Sequence, residues 1–431
     1  MAAFTVNVET SGNVENLYKK LKQQLTKKRK CPLSNTAIIA PIVVKSCNGI
    51  GSVTMSAAQV ECKLGRGLFL PNYYRNGVKF LSNILQDQCT TLSEEKRVAV
   101  ESFVKFFETD QHVQCIQKLK DCNVEKIKEP EIQAYLACHI FAPLVPGSEF
   151  LIDGKQFPLK MERKCPTCNL KLKLGDTSLG HPTIWYGSTD ILVGGSIKST
   201  VKVTAEAKMM DDTSKYDEKG GGEPFLKRQR VDSAGSSGEN QSDTDESPSE
   251  SDGIEEFGCF SSVASFTQGR KQAVAQAIAQ TIVNAFCEVK KDSSMMNSFI
   301  PSFLATEKTI TMIMYNVGKD KLLISQELQL FDKLSGDVNL STILYVWLTL
   351  NFNIFEKTWN DDFLKSGFKD YITKHLKWPV YCFDVTRPLG TAPEENWLSF
   401  EVSDKQLSDK EMACVFSDLD NLYSKIHQDV Q

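Results

Sequence analysis

From Val201 to Lys208 the chain alternates apolar and polar positions: Val201, Val203, Ala205 and Ala207 against Lys202, Thr204, Glu206 and Lys208. A strand side chain repeats every second residue, so this stretch predicts a strand with Glu206 and Lys208 on one face. The run Thr183 to Val193 is rich in β-branched and aromatic residues and predicts a preceding strand that contains Asp190. Gly194-Gly195 allows a turn between the two. Shorter strands are predicted at Ala37 to Val44, Gly51 to Met55 and Phe150 to Ile152. Thr309 to Ser325 reads as a hairpin turning at Asn316 to Asp320.

Elsewhere the apolar period is helical. Tyr74 to Val124 carries Val98, Phe103, Phe106 and Phe107 at helical spacing. Glu129 to Phe141 predicts a helix with Pro130 in its first turn. In Ser265 to Glu288, alanines give high helix propensity, while Val274, Ile278, Ile282, Val283 and Phe286 supply an apolar side. Gln272, Gln276 and Gln280 recur every fourth residue along one flank; they read as solvated surface or as amides aimed at the strand residues. Ser341 to Leu376 is predicted mostly helical, and Ser408 to His427 forms a terminal amphipathic helix.

Composition adds an asymmetry. The 431 residues carry a net charge of −4. Residues 209–257 hold 14 acidic and 5 basic side chains, which leaves the remainder basic at +5. That segment has no apolar periodicity and predicts a disordered insertion, since nothing in it offsets the entropy of ordering. Within it Lys227, Arg228 and Arg230 form a compact basic cluster of nuclear-import type. Lys19, Lys20, Lys22, Lys27, Lys28, Arg29 and Lys30 make residues 1–30 a basic arm, suited to phosphates or an import receptor, or simply a solvated helix end. The 13 cysteines are scattered, which predicts free thiols in a reducing compartment. The most apolar stretch, Leu340 to Phe355, is too short to span a bilayer comfortably, so a soluble intracellular chain is expected.

Two groups of residues carry candidate chemistry. Asp190 and Glu206 offer two carboxylates able to hold Mg2+ or Mn2+ through oxygen, with Lys208 placed to position water or stabilise charge. The alternative is a half-exposed hairpin with ordinary surface charges. Cys165 and Cys168 form a CxxC pair that could share a structural zinc, with further ligands drawn from His181, Cys138, His139 or Cys122. The alternative there is a plain turn with two free thiols. His112 reads as a surface or capping histidine, having no partner at helical spacing.

Taken in order, a helix with Glu131, strands, Asp190, Glu206-x-Lys208, a glutamine-bearing helix and a further strand pair resemble the PD-(D/E)XK nuclease superfamily, the restriction-endonuclease-like fold. The likeness covers residues 128–326, and the proline of the family's PD element is replaced by Thr189. It implies an α/β fold: an αβββαβ core with a central mixed sheet and helices on both faces. It also implies metal-dependent hydrolysis of DNA phosphodiester bonds. By position Asp190 and Glu206 look like the metal ligands and Lys208 like the residue that orients or activates water. Glu131 is similar in place to an acidic residue on the first helix, and Gln276 or Gln280 to a glutamine of exonuclease-like members.

The expected organisation is therefore a basic arm (1–30), an α+β region (31–127), the nuclease-like core (128–326) interrupted at 209–257, and a mostly helical region (327–431). The leading expectation is a nuclear nuclease-like protein with nucleic acid and an import receptor as partners. A catalytically inactive binding scaffold is the alternative. A zinc-stabilised interaction protein centred on Cys165 and Cys168 is a third.

Overall fold

In this computed structural model the hydrophobic alternation along the chain becomes one large sheet. The structure describes residues 16–23 in part and 37–375 with interruptions, the longest at 86–92, 122–127, 195–202, 209–267 and 356–362. The import cluster at Lys227 to Arg230, the acidic insertion, His181, Cys122 and the helix expected at 408–427 lie outside the described residues.

The strands in chain order are β1 (Ile38–Cys47), β2 (Val53–Thr54), β3 (Val60–Leu64), β4 (Leu68–Phe69), β5 (Phe150–Asp153), β6 (Leu174–Gly175), β7 (Ser178–Gly180), β8 (Trp185–Ser188), β9 (Ile191–Val193), β10 (Val203–Ala207), β11 (Phe299–Ala305), β12 (Thr309–Asn316), β13 (Lys321–Ser325) and β14 (Leu328–Gln329). The longer helices are α1 (Arg75–Leu85), α2 (Glu94–Glu108), α3 (Asp110–Asp121), α4 (Glu129–Leu136), α5 (Gln268–Lys291), α6 (Leu340–Leu350) and α7 (Phe368–His375). A π turn, Ala137–Phe141, prolongs α4.

The main sheet runs β3-β1-β13-β12-β11-β10-β9-β5-β6, with β14 on β12 and β4 on β1. β5, β9 and β10 are antiparallel neighbours, and β10 pairs parallel with β11. Parallel neighbours need a crossover, and α5 supplies it. The central order is thus α4, β5, β9, β10, α5, β11, the αβββαβ arrangement that the resemblance implies. A second sheet, β2-β8-β7, stands apart from the first.

Side-chain parity assigns the helices to faces. Glu206 on β10 and Tyr315 on β12 meet Gln276 and Phe286 of α5. Phe303 on β11 and Met312 on β12, which are cross-strand partners, meet Phe141 of the π turn and Thr349 of α6. The sheet is therefore covered on both sides, and this explains why β10 to β13 are buried along nearly their whole length.

The flanking regions join this same core. β1 pairs with β13, and Trp347 of α6, fully buried, donates its indole N–H to Ala99 O on α2 at 2.9 Å. Of the basic arm, Lys20 pairs with Glu108 on α2 at 2.9 Å. The apolar stretch at Leu340 is a core helix, and no helix among the described residues is long and apolar enough to cross a membrane.

One predicted element divides. The run Thr183 to Val193 was expected as a single strand, but β8 belongs to the small sheet and β9 to the large one. The chain changes sheets at Thr189-Asp190, where Thr189 N–H donates to Thr177 O and Thr177 Oγ1 donates to Thr189 O. Gly187, with φ of 151°, supplies the backbone freedom just before that change.

Candidate active site and candidate metal centre

The sheet change positions Asp190. β9 and β10 pair Ile191 with Ala205 and Leu192 with Thr204; carried one residue further, the register sets Asp190 across from Glu206. Directly opposed residues of antiparallel strands share a face. Asp190 Oδ2 accepts the Ala207 N–H at 2.7 Å, and Asp190 O accepts the Asp153 N–H at 3.0 Å. Asp153 is itself buried and accepts from Ser188 Oγ at 2.5 Å, bracing the strand before the bend.

Glu206 is 1% exposed. Its Oε1 takes the Gln276 amide at 2.5 Å and lies 2.6 Å from Lys208 Nζ; its Oε2 takes the Gln280 amide at 2.6 Å. Two readings from the sequence change here. Glu206 is not on a half-exposed hairpin face, because α5 covers it. Gln276 and Gln280 are not solvated helix surface; a ridge at every fourth position that lies against a sheet must bury its amides, and Glu206 satisfies them. Gln272, one turn earlier, donates to Ser56 O and Ala58 O instead.

Lys208 reaches outward from this pair. Its Nζ also bonds Glu129 Oε1 at 3.1 Å, and its side chain is 26% exposed. Glu131, the acid expected here, is elsewhere: its carboxylate accepts the Lys128 N–H at 2.9 Å and closes the start of α4. Sequence reasoning missed Glu129. Both acids lie in the first turn of one helix, and only the docking of α4 tells them apart.

The electrostatics follow from burial. Asp190 is held well above the usual carboxylate range by desolvation and by the neighbouring Glu206. Glu206 is raised by desolvation too, with Lys208 pulling against it. For Lys208, burial works against the charge, but Glu206 and Asp190 outweigh it and raise the pKa. Three carboxylates thus share one ammonium group, and burial with the neighbouring Glu206 favours the protonated form of Asp190. Asp190 and Glu206 offer carboxylate oxygens, the donor type that hard divalent cations take.

The CxxC pair lies at a second, separate cluster. Lys164 and Lys171 form an antiparallel bridge, Cys165 N–H donates to Leu170 O, and Asn169 N–H donates to Cys165 O. Asn169 has φ of 58°, a left-handed conformation that asparagine tolerates. The ligand atoms of His139, Cys165 and Cys168 lie within 4.8 Å of one another, and His139 Nε2 is 3.2 Å from Cys165 Sγ. The Cys138 thiol donates to Cys165, whose pKa falls to about 3, through that bond first and then His139 and the backbone N–H groups of Cys168 and Thr167, despite burial. His112 is no isolated surface histidine. It stacks on Phe106 and its Nδ1 lies 3.2 Å from His139 Nδ1; burial and that neighbour lower its pKa to about 4. The seven described cysteines are all free of disulfides.

Comparison with family models, with curated proteins and with solved structures gives no match.

Proposed function

We propose that the protein is a divalent-metal-dependent nuclease that hydrolyses DNA phosphodiester bonds at the Asp190–Glu206–Lys208 cluster. One observation carries this reading: two buried acids from adjoining strands and a lysine two residues beyond meet at the end of β10, short of positive charge. Asp190 and Glu206 would hold Mg2+ or Mn2+. When bound, the cation lowers the pKa of a water and neutralises charge on the phosphate.

The remaining work falls to the chain itself. Gln276 and Gln280 fix the Glu206 carboxylate so that it does not reorient as charge develops. Lys208, partly exposed, can donate to a water or to a phosphate oxygen at the mouth of the site. Glu129 keeps that ammonium charged and oriented. The central αβββαβ order supports the same reading. Lys227, Arg228 and Arg230 support a nuclear location, where DNA is the substrate at hand.

A second reading has its own support. Glu206 is 1% exposed and already accepts from three donors, as in a closed polar core of a binding scaffold. Linear double-stranded DNA incubated with purified full-length protein, with Mg2+, Mn2+ or EDTA, separates the two. The nuclease reading expects metal-dependent cleavage that falls by roughly 10²–10³-fold in Glu206→Gln and in Lys208→Ala. Intact DNA under every condition, with wild type and variants alike, leaves the scaffold.

A further inference from the structure

We propose that Cys165, Cys168, His139 and Cys138 form a tetrahedral zinc site. It binds the segment between β5 and β6 to the end of α4 and is independent of the nuclease reading. The geometry comes from two places 26 residues apart in sequence. Cys165 and Cys168 stand on a turn closed by the Lys164–Lys171 bridge. Cys138 and His139 stand on the π turn after α4, and π turns shift side-chain phase by inserting a residue into a helical turn.

Three ligand atoms already cluster within 4.8 Å. A tetrahedral ion with metal–sulfur bonds of about 2.3 Å needs ligand atoms about 3.8 Å apart, so closure asks for shifts of about 1 Å. Cys138, whose thiol interacts with that of Cys165, offers the fourth ligand. The ring orientation of His139 also suits the task. Its Nε2 faces Cys165, while Nδ1 faces His112 Nδ1 at 3.2 Å, where the ring N–H has an acceptor. A ligating histidine characteristically donates its other ring N–H in this way. The backbone N–H groups of Thr167 and Cys168 interact with the Cys165 sulfur. Three thiolates and one imidazole favour zinc over the hard cations suited to Asp190 and Glu206.

Cys115 on α3 faces the same cluster, as its interactions with Cys165 and Cys168 record, and it is buried. Cys115 lies outside the four ligands, which makes it the internal control.

The test is metal analysis of the full-length protein expressed with zinc supplied and purified without chelator. The expected result is about one zinc per chain. Cys168→Ser, Cys138→Ser and His139→Gln should each lower retained zinc at least about tenfold, whereas Cys115→Ser and Glu206→Gln should retain it. Because a ligand variant can fail to fold, wild-type protein exchanged into Co2+ gives a second readout. Thiolate-to-cobalt charge transfer with strong visible bands is expected of a tetrahedral thiolate site. Wild-type protein free of zinc, iron in place of zinc, or a Cys165–Cys168 disulfide in the mass spectrum would each overturn the proposal. Zinc retained by Cys138→Ser but lost by Cys115→Ser would overturn the ligand set.

Discussion

Lys208 Nζ lies 2.6 Å from Glu206 Oε1, two residues back along the chain and far less exposed than the lysine. This pair couples the buried acids to solvent, because Lys208 also touches Glu129, whose side chain is 40% exposed. A buried charge that loses its partner is costly, since water cannot replace it. Lys208→Met should therefore destabilise the fold by roughly 3 kcal/mol, and Glu129→Gln by less than about 1 kcal/mol, because the Glu129 contact is solvated. Chemical denaturation of the two variants checks the ranking; equal losses would mean that Lys208 does not serve Glu206.

The glutamines give a sharper comparison. Gln280→Leu strips one donor from a carboxylate oxygen that has no access to water, at a cost of about 1–3 kcal/mol. Gln272→Leu removes amide bonds to Ser56 O and Ala58 O at the partly exposed start of the helix and should cost less than about 1 kcal/mol. Urea midpoints of the two variants measure the difference.

Acidity offers an independent check. The folded chain holds the Asp190 proton above the ordinary value of 3.8, because burial and Glu206 penalise the anion. Between 3.8 and its raised folded value, the native state therefore binds more protons than the unfolded state, and stability falls as pH rises through that window. In metal-free protein the thermal midpoint should decline above pH 4, and Asp190→Asn should flatten that decline. Adding Mg2+ should reverse it, since a cation favours the carboxylate form. A wild-type profile that superimposes on that of Asp190→Asn would show that Asp190 holds no raised proton.

Chelation should act at the other cluster. Removing zinc with a strong thiol-competing chelator should lower the thermal midpoint of wild type and leave Cys168→Ser unchanged, because only a bound metal can be lost. Scanning calorimetry before and after treatment reads this directly. An equal fall in both proteins would trace the effect to the chelator and not to the CxxC turn.

Much of the local structure was legible in the chain. Strict alternation from Val201 to Lys208 fixed β10 and put Glu206 beside Lys208, because a strand has a side-chain period of two. Helical spacing set α5 and the flank bearing Gln276 and Gln280, and the CxxC spacing marked a turn of two thiols. Each of these depends on neighbours in sequence. What remained hidden depends on neighbours in space. The break at Thr189-Asp190 requires Thr177; the choice of Glu129 over Glu131 requires the docking of α4; His139 and Cys138 join Cys165 only because the π turn packs against a loop some 26 residues away. Burial of Glu206 likewise follows from the crossover of α5, as no alternation pattern distinguishes a strand face covered by a polar helix flank from one covered by water. Local periodicity is written in covalent geometry, whereas which polar groups satisfy one another is decided by long-range packing.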